Sequence, residues 1–555
     1  MGLLEQHFDT AFAAPDGFKK LRELILTLAM QGKLVPQDPS DPPVSQLLKD
    51  IEAEKSRLRR GGKIKAPKAL PEIKPAEMPY VLPRGWEWVR LGVIGDYNGR
   101  DNIAPDSIAS DTWLLDLEDI EKDTSRLLCR AKYSERQSKS TKSTFQQGDV
   151  LYGKLRPYLD KVIVADADGV CTTEIVPIVP SSAIDANFLR WLLKRPAFLA
   201  HVNSLMYGVK MPRLGTEDAV LSIHPLPPLQ EQHRIVTKID QLMARCDELE
   251  KLRAEREQKR RGVHSASLKQ LLDAQAADSI ADAWQFISQH FSDLYAVKEN
   301  VAALRKAILQ LAVMGKLVPQ NPNDPPASQS LAEIEAEKEQ LVKEGKIKAS
   351  KASPVIKEGE LPFGLPRGWE WVRLGDIGYT NIGLTYTPSD VADTGIPVLR
   401  SNNIQDGKLD LSDLKRVDVQ VKESVLVQEG DLLICARNGS KALVGKTALI
   451  TNLSEPMAFG AFMAIFRSRF NQYLLSFINS PLFRKMIDEV NTMTINQITQ
   501  DNLRSTLCPL PPLPEQLRIV AKIDQLMMLC NTLEQRIDVA NRKQTELLDA
   551  VMAQV

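Results

Sequence analysis

Apolar positions recur along this chain with two long runs of helical spacing. Ile235, Ile239, Leu242, Cys246 and Leu249 step by 4, 3, 4 and 3 residues. Ile519, Ile523, Leu526, Cys530, Leu533 and Ile537 step by 4, 3, 4, 3 and 4. This is the a/d seam of a coiled coil, and charged Lys238, Asp240, Glu248 and Lys251 fall off it. Pro227–Pro228 and Pro511–Pro512 stop what precedes and let each helix begin. The first helix is expected to reach about Ala276, the second about Ala550. About 40 residues at ~1.5 Å per residue make a rod of roughly 60 Å. Two such rods in one chain can pair with each other; ordinary amphipathic helices on a globular core are the alternative.

Shorter helical spacing appears at residues 18–31 (Leu21, Ile25, Leu28) and 301–314 (Leu304, Ile308, Leu311). Gly32 and Gly315 supply the stops. Residues 44–60 and 328–344 read as short charged helices, followed by proline-rich linkers. Elsewhere β-branched or aromatic runs bounded by Gly, Asp or Pro predict strands: DVLYGKL, KVIVADA, EIVPIVP, DLLICAR, KTALIT and AFMAIF. FLRWLLKRPAFLAHV and YLLSFINSPLFRKMIDEV read as helical.

These elements come in duplicate. Residues 21–46 recur at 304–329 with 18 of 26 positions identical. LPRGWEWVRLG at 82–92 returns unchanged at 365–375. PLPPLQEQHRIVTKIDQLMARCDELE from Pro225 returns from Pro509 with 19 of 26 identities. The stretches between, 93–224 and 376–508, share only scattered residues. Drift after duplication would blur frame and insert alike, yet only the insert is blurred. Each half is thus a reused frame around a private insert.

At 555 residues the chain needs several cores. Hydrophobic content of 43% and charged content of 26% are those of a globular protein. No apolar run suits a membrane span, and MGLLEQHFDT lacks the pattern of a secretion signal, so the cytoplasm is expected. Six scattered cysteines, none at C-x-x-C spacing, predict neither metal site nor disulfide framework. The net charge is zero, so any nucleic-acid binding must come from local clustering. Residues 122–161, with ten basic side chains against four acids, are the candidate phosphate-contacting stretch.

The frame blocks and their order resemble the specificity (S) subunit of type I restriction–modification systems, over essentially the whole chain. The most specific elements are LP-x-GW-x-W-x-x-LG opening each insert and PLPP-L-x-EQ-x-RIV-x-KID-x-L closing it. GDVLYGKLRPYLDKV, GVKMPRLGTED, IGLTYTPSD and NQITQDNL look like target-recognition segments. The resemblance implies an α+β fold: two mixed α/β target-recognition domains separated by long helices that form an antiparallel coiled-coil spacer, as a pseudo-twofold tandem repeat. The expected divisions are a helical region and linker (1–81), domain 1 (82–224), a central spacer helix (225–276), a second helical region and linker (277–364), domain 2 (365–508) and a C-terminal spacer helix (509–555). Each domain would read half of a bipartite site in double-stranded DNA. The helices would dock two methyltransferase (M) subunits. By the same resemblance S-adenosylmethionine belongs to M, ATP and Mg to a restriction (R) subunit, and this chain binds no cofactor and catalyses nothing.

Base readout needs side chains with paired hydrogen bonds: Arg or Lys to guanine, Asn or Gln to adenine. Glycine- or proline-bounded loops offer Lys154, Arg156, Tyr158, Lys210 and Arg213 in the first insert. The second offers Thr385, Tyr386, Arg400, Asn402, Asn403, Arg437, Asn438, Lys441, Asn496 and Gln497. DPPV at Asp41 and DPPA at Asp324 lack the aromatic fourth residue that an amino-methyltransferase motif stacks on its flipped base. GSKALVGKT at Gly439 has five residues between its glycines where a phosphate-binding loop has four. The competing readings are a stand-alone DNA methyltransferase or nuclease, and a duplicated coiled-coil scaffold that binds only protein.

Overall fold

The computed structural model describes residues 12–60, 70–136, 139–205, 212–343, 353–405, 407–490 and 496–553. Two compact units emerge, Met1–Arg256 with Ala540–Val555 (unit 1) and Glu257–Val539 (unit 2). The fold is α+β, with a mixed α/β domain in each unit and two long helices that contribute to both.

Unit 1 opens with α1 (Gly17–Met30) and α2 (Val44–Arg60). Gly32, at φ +69°, ends α1; the Lys33 N–H reaches back to the Leu28 carbonyl at 2.9 Å. A side chain there would also meet Pro83, 2.5 Å from a built Cβ. The strands are β1 (Glu87–Arg90), β2 (Gly95–Tyr97), β3 (Asn102–Ile103), β4 (Trp113–Leu115), β5 (Ala131–Lys132), β6 (Lys142–Phe145), β7 (Val150–Gly153), β8 (Val162–Val164), β9 (Gly169–Thr172) and β10 (Ile175–Pro180). Then come α3 (Ala186–Leu193), α4 (Pro196–Ser204), α5 (Thr216–Leu221), β11 (Ile223–Leu226) and the long α6 (Leu229–Asp273). The run FLRWLLKRPAFLAHV, read as helical, forms two helices, α3 and α4, because Pro196 cannot continue a helix and serves instead as the first residue of the next.

Unit 2 repeats the plan: α7 (Ala277–Gln289), α8 (Lys298–Val313), α9 (Ala327–Lys343), β12 (Glu370–Arg373), β13 (Tyr379–Ile382), β14 (Val391–Ala392), β15 (Ile396–Leu399), β16 (Ile404–Gln405), β17 (Lys408–Leu409), β18 (Lys415–Val417), β19 (Leu432–Cys435), β20 (Thr447–Leu449), β21 (Ala458–Phe459) and β22 (Met463–Arg467). It closes with α10 (Asn471–Ile478), α11 (Pro481–Val490), α12 (Gln500–Ser505), β23 (Leu507–Leu510) and α13 (Leu513–Met552). The α6 helix starts in unit 1 and ends in unit 2; α13 does the reverse.

The dissimilar inserts share a core. Sheet β2-β10-β7-β8 in unit 1 has the same strand order as β13-β22-β19-β20 in unit 2. Each has a Gly-Asp turn feeding its third strand, with a buried aspartate neutralised by arginine. Asp149 accepts from Arg100 at 2.7 and 2.8 Å, and Asp431 from Arg467 at 2.5 Å twice. Around these sheets the units differ: β3-β6-β9-β4-β5 adds five strands in unit 1, whereas unit 2 adds β14-β18-β15-β21 and the hairpin β16-β17. In both, the frame strands flanking the insert pair antiparallel, β1 with β11 and β12 with β23.

The seam positions pack within their own units. Ile235, Ile239 and Cys246 share a core with Ile25, Ala29 and Met30 of α1, and Leu242 packs against it. Arg22 crosses from α1 to Asp247 and Glu250 of α6 at 2.6 and 2.8 Å. Ile519, Ile523 and Cys530 share a core with Leu304, Ile308 and Leu311 of α8, with Leu526, Leu533 and Ile537 against it. Burial on α6 fails at Leu249, which is 46% exposed.

Candidate nucleic-acid interface

In unit 1 the backbone brings two sequence-predicted loops together. The Arg156 N–H donates to the Pro212 carbonyl at 2.8 Å, and the Leu214 N–H to that of Lys154 at 3.0 Å. Lys154, Arg156 and Arg213 therefore lie in one neighbourhood; Lys210 falls outside the described residues. Arg156 and Asp160 both hold φ near 50°, on either side of the single turn Pro157–Leu159 that leaves Tyr158 exposed. Non-glycine residues in that region carry strain, which neighbouring structure must enforce.

The enforcing group is Lys194, at the end of α3. Its buried ammonium donates to the carbonyls of Asp123 and Asp160, to Ser125 Oγ and to the Asp160 carboxylate, at 2.7 to 3.0 Å. Asp123 and Ser125 are themselves left-handed, at φ 63° and 58°. Burial pushes the Asp160 carboxyl up to about 6 despite the ammonium beside it. Sequence reasoning missed Lys194, which lies inside a helical run.

Arg213 already has a partner: its fork holds Glu174 at 2.8 and 2.9 Å. At so exposed a site the pair is weak and screened by solvent, so it can be exchanged for another acceptor. Half of the ten cations in the basic stretch are engaged within the fold. Arg126 pairs with Glu121, Arg130 with Asp166, and Arg136 with Asp116 and Asp119. Lys142 is buried, and Lys161 is tied to the Leu117 carbonyl. Asp116, Asp119 and Glu121 come from the segment just ahead of these cations and Asp166 from beyond them.

In unit 2 four loops converge on a concavity of about 1000 Å³. Thr385 and Tyr386 line it from the β13–β14 loop, Arg400 and Asn402 from the turn after β15, Arg437 and Asn438 from the loop after β19, and Asn496 from the segment ahead of α12. Gly383 permits the closest approach: a built Cβ would sit 2.2 Å from the Phe459 carbonyl oxygen, to which Leu384 N–H also donates at 2.7 Å. Asn438 N–H donates to the Asn496 carbonyl at 3.3 Å and Asn496 Nδ2 to that of Gly439 at 3.1 Å, joining two loops 58 residues apart in sequence. Lys415 and Phe462 line the same surface and had no recognisable motif around them.

Three expected readers sit elsewhere. Asn403 is 1% exposed; its amide donates to the Asp410 and Asp413 carbonyls and accepts from Arg400 N–H. It closes a turn and has no group left for a base edge. Lys441 pairs with Asp488 at 3.2 Å, on a separate groove along α11. Gln497 bridges the Arg437 strand as a backbone partner and does not line the concavity.

The DPP segments also acquire a role. Asp41 accepts from Arg234 at 2.6 Å and Asp324 from Arg518 at 2.6 Å, tying each turn to the first helical turns of α6 and α13. Among the described residues no group of His, Cys, Asp and Glu could hold a metal ion, and no helix is long and apolar enough to cross a membrane.

Comparison with known proteins adds the following. A family model described as type I restriction modification DNA specificity domain matches residues 366–540. The chain is 38% identical to the type I restriction enzyme EcoAI specificity subunit of Escherichia coli, covering 96% of this chain and 93% of that protein. It is 34% identical to the EcoEI specificity subunit of the same species, with the same coverage. One chain of a structure concerned with complex assembly and conformational transition of the type I R-M system shares the fold, at TM-score 0.52 and 23% identity, over 85% of this chain and 99% of that one.

Proposed function

The chain belongs to the family of type I restriction enzyme specificity subunits, and from that membership we propose that its two units read the two halves of one split site in double-stranded DNA. The observation that carries this is the pairing of a shared sheet with private surroundings. Sheets of one strand order stand on duplicated frames, while the loops beyond them present different side chains. Unit 1 offers Lys154, Arg156, Tyr158 and Arg213; unit 2 offers Thr385, Tyr386, Arg400, Asn402, Arg437, Asn438 and Asn496. These are the donor and acceptor types that distinguish base pairs in a major groove.

The six-part division drawn from the sequence, from the helical region at 1–81 to the spacer helix at 509–555, is the proposed working map. Unit 1 would read one half-site with residues 82–224 and unit 2 the other with 365–508. The helices α6 and α13 would space them and dock the methyltransferase subunits. S-adenosylmethionine chemistry falls to those subunits, ATP- and Mg-dependent cleavage to restriction subunits, and this chain acts in the cytoplasm without catalysis of its own. The salt links of Asp41 and Asp324 support that last point, since both DPP turns are committed to the frame.

The test is to express the chain with its methyltransferase partner in a host lacking adenine methylation and to map modified adenines across the genome. A single split motif is expected, absent when either gene is omitted. Methylation by this chain alone, or a continuous motif, would refute the proposal.

A further inference from the structure

Phe462 is an apolar ring held out into the unit 2 concavity. It is 62% exposed, whereas Phe459 and Met463 beside it are 0% and 2% exposed. Its backbone is pinned: the Phe462 carbonyl accepts from Ala436 N–H at 2.9 Å and Arg437 N–H at 3.0 Å, and Met463 N–H closes a turn onto the Gly460 carbonyl at 2.8 Å. The Arg437 guanidinium stands over the ring, 5.5 Å from its centroid. The lining mixes apolar side chains, Leu384, Tyr386, Pro388 and Val391, with Arg400, Lys415, Asn438 and Asn496, and it includes no acidic residue.

That setting selects among partners. A protein-docking site would want an apolar patch depleted of charge; here Arg400, Lys415 and Arg437 share the surface with no acid to offset them, which suits a polyanion. In a major groove the single apolar feature of a base edge is the thymine C5-methyl, which phenylalanine can contact, while arginine forks onto guanine. With a base-pair rise of about 3.4 Å, a ring and guanidinium 5.5 Å apart address base pairs no more than about two steps from each other.

We propose that Phe462 is a specificity-determining residue of unit 2 that contacts the C5-methyl of a thymine within two base pairs of the guanine read by Arg437. This rests on unit 2 reading DNA through its concavity. It adds a methyl contact to the hydrogen-bonding readers.

The experiment uses the complex of this chain with its methyltransferase partner and duplex oligonucleotides carrying the mapped site, with each thymine of the unit 2 half-site replaced in turn by uracil, which lacks the methyl group. One replacement should slow methylation at subsaturating DNA about fourfold, the worth of one buried methyl. F462A should erase that difference by slowing the thymine duplex alone. R437A, assayed in parallel, should relax one guanine position of the same half-site. If no uracil replacement matters to the unaltered complex while R437A does change the half-site, Phe462 is not a methyl contact. If R437A also leaves the half-site unchanged, unit 2 does not read DNA here at all. A half-site without thymine on either strand, or F462A slowing all duplexes equally through weaker assembly with the methyltransferase, would also overturn the assignment.

Discussion

The indole Nε1 of Trp86 donates to the Glu231 carboxylate at 2.9 Å, and Trp369 repeats the bond to Glu515 at 3.1 Å. Each bond ties the strand that opens a recognition domain to the first turn of the long helix that follows it. The tie is buried: Trp86 is 6% and Glu231 2% exposed. Together with Arg234–Asp41 and Arg518–Asp324 it explains why LPRGW, DPP and EQ-x-RIV recur as a set. They are the three contact surfaces of one joint, built twice.

Trp86→Phe removes the donor and keeps a smaller aromatic ring, whose packing loss does not depend on pH. Burial already raises the Glu231 carboxyl above 4.5, and the indole bond opposes that rise. Without it the ionised carboxylate loses a charge-assisted hydrogen bond worth ~1.5–3 kcal/mol. Because the folded pKa lies above the unfolded one, Glu231 is tolerated best when protonated, and its cost grows as pH rises through the folded value. Urea denaturation of W86F should therefore show a larger loss at pH 8 than at pH 4.5. An equal loss at both would place the effect in packing.

His224 gives strand β11 of unit 1 an acid-sensitive group that its counterpart β23 in unit 2 does not have. It is fully buried, with one ring nitrogen against the Arg195 guanidinium and the other against Ser222 Oγ, each at 2.8 Å. Burial first, then the Arg195 charge, hold its pKa well below 6.5. The repeat has Cys508 at this place. Above pH 6.5 both folded and unfolded His224 are neutral and nothing depends on pH. Below it the unfolded chain takes up a proton the folded one refuses, so stability falls by up to ~1.4 kcal/mol per pH unit. Asp160, raised to about 6, works in the opposite sense as pH falls, so the readout is the difference between His224→Cys and the parent from pH 8 to 5. That difference should open below pH 6.5 in favour of the cysteine; a flat difference contradicts the assignment.

Lys194→Met leaves the Asp160 carboxylate and two carbonyls without their donor. Stripping one partner from a buried pair costs ~3–5 kcal/mol, and here the loss falls on the loop that carries Arg156 and Tyr158. K194M should lose the unit 1 half-site while the complex still favours the unit 2 half-site. The defect should be milder at pH 5 than at pH 7.5, because a protonated Asp160 needs no cation. Arg156→Ala separates positioning from contact: it should alter one base preference at all pH values. If R156A instead weakens all DNA and flattens the salt dependence, Arg156 is a phosphate contact.

Helix ends were legible because the repeat shows them twice and because Gly32, Gly315 and the double prolines act locally; the short frame strands beside them, β1, β11, β12 and β23, were not. Three of the four strands of each common sheet were legible too, as DVLYGKL, KVIVADA and EIVPIVP in one insert and DLLICAR, KTALIT and AFMAIF in the other; their shared order and the edge strands β2 and β13 were not. Strands as short as Gly95–Tyr97 and Tyr379–Ile382 are specified by which face is buried, and unrelated residues meet that requirement. Asn403 and Arg213 were legible as polar loop residues, but their partners Asp410, Asp413 and Glu174 depend on the fold. Phe462 was hidden inside AFMAIF, an apolar run in which only the structure distinguishes the exposed ring from its buried neighbours.

The central claim is that the two dissimilar segments discriminate DNA while the duplicated frame builds and docks. It is tested most directly by replacing residues 93–224 with the corresponding segment of a relative of different specificity and mapping methylated adenines in cells that also make the methyltransferase. The account predicts a split motif in which one half changes to the donor's sequence while the other half is retained. An unchanged motif, or one in which both halves change, would contradict it.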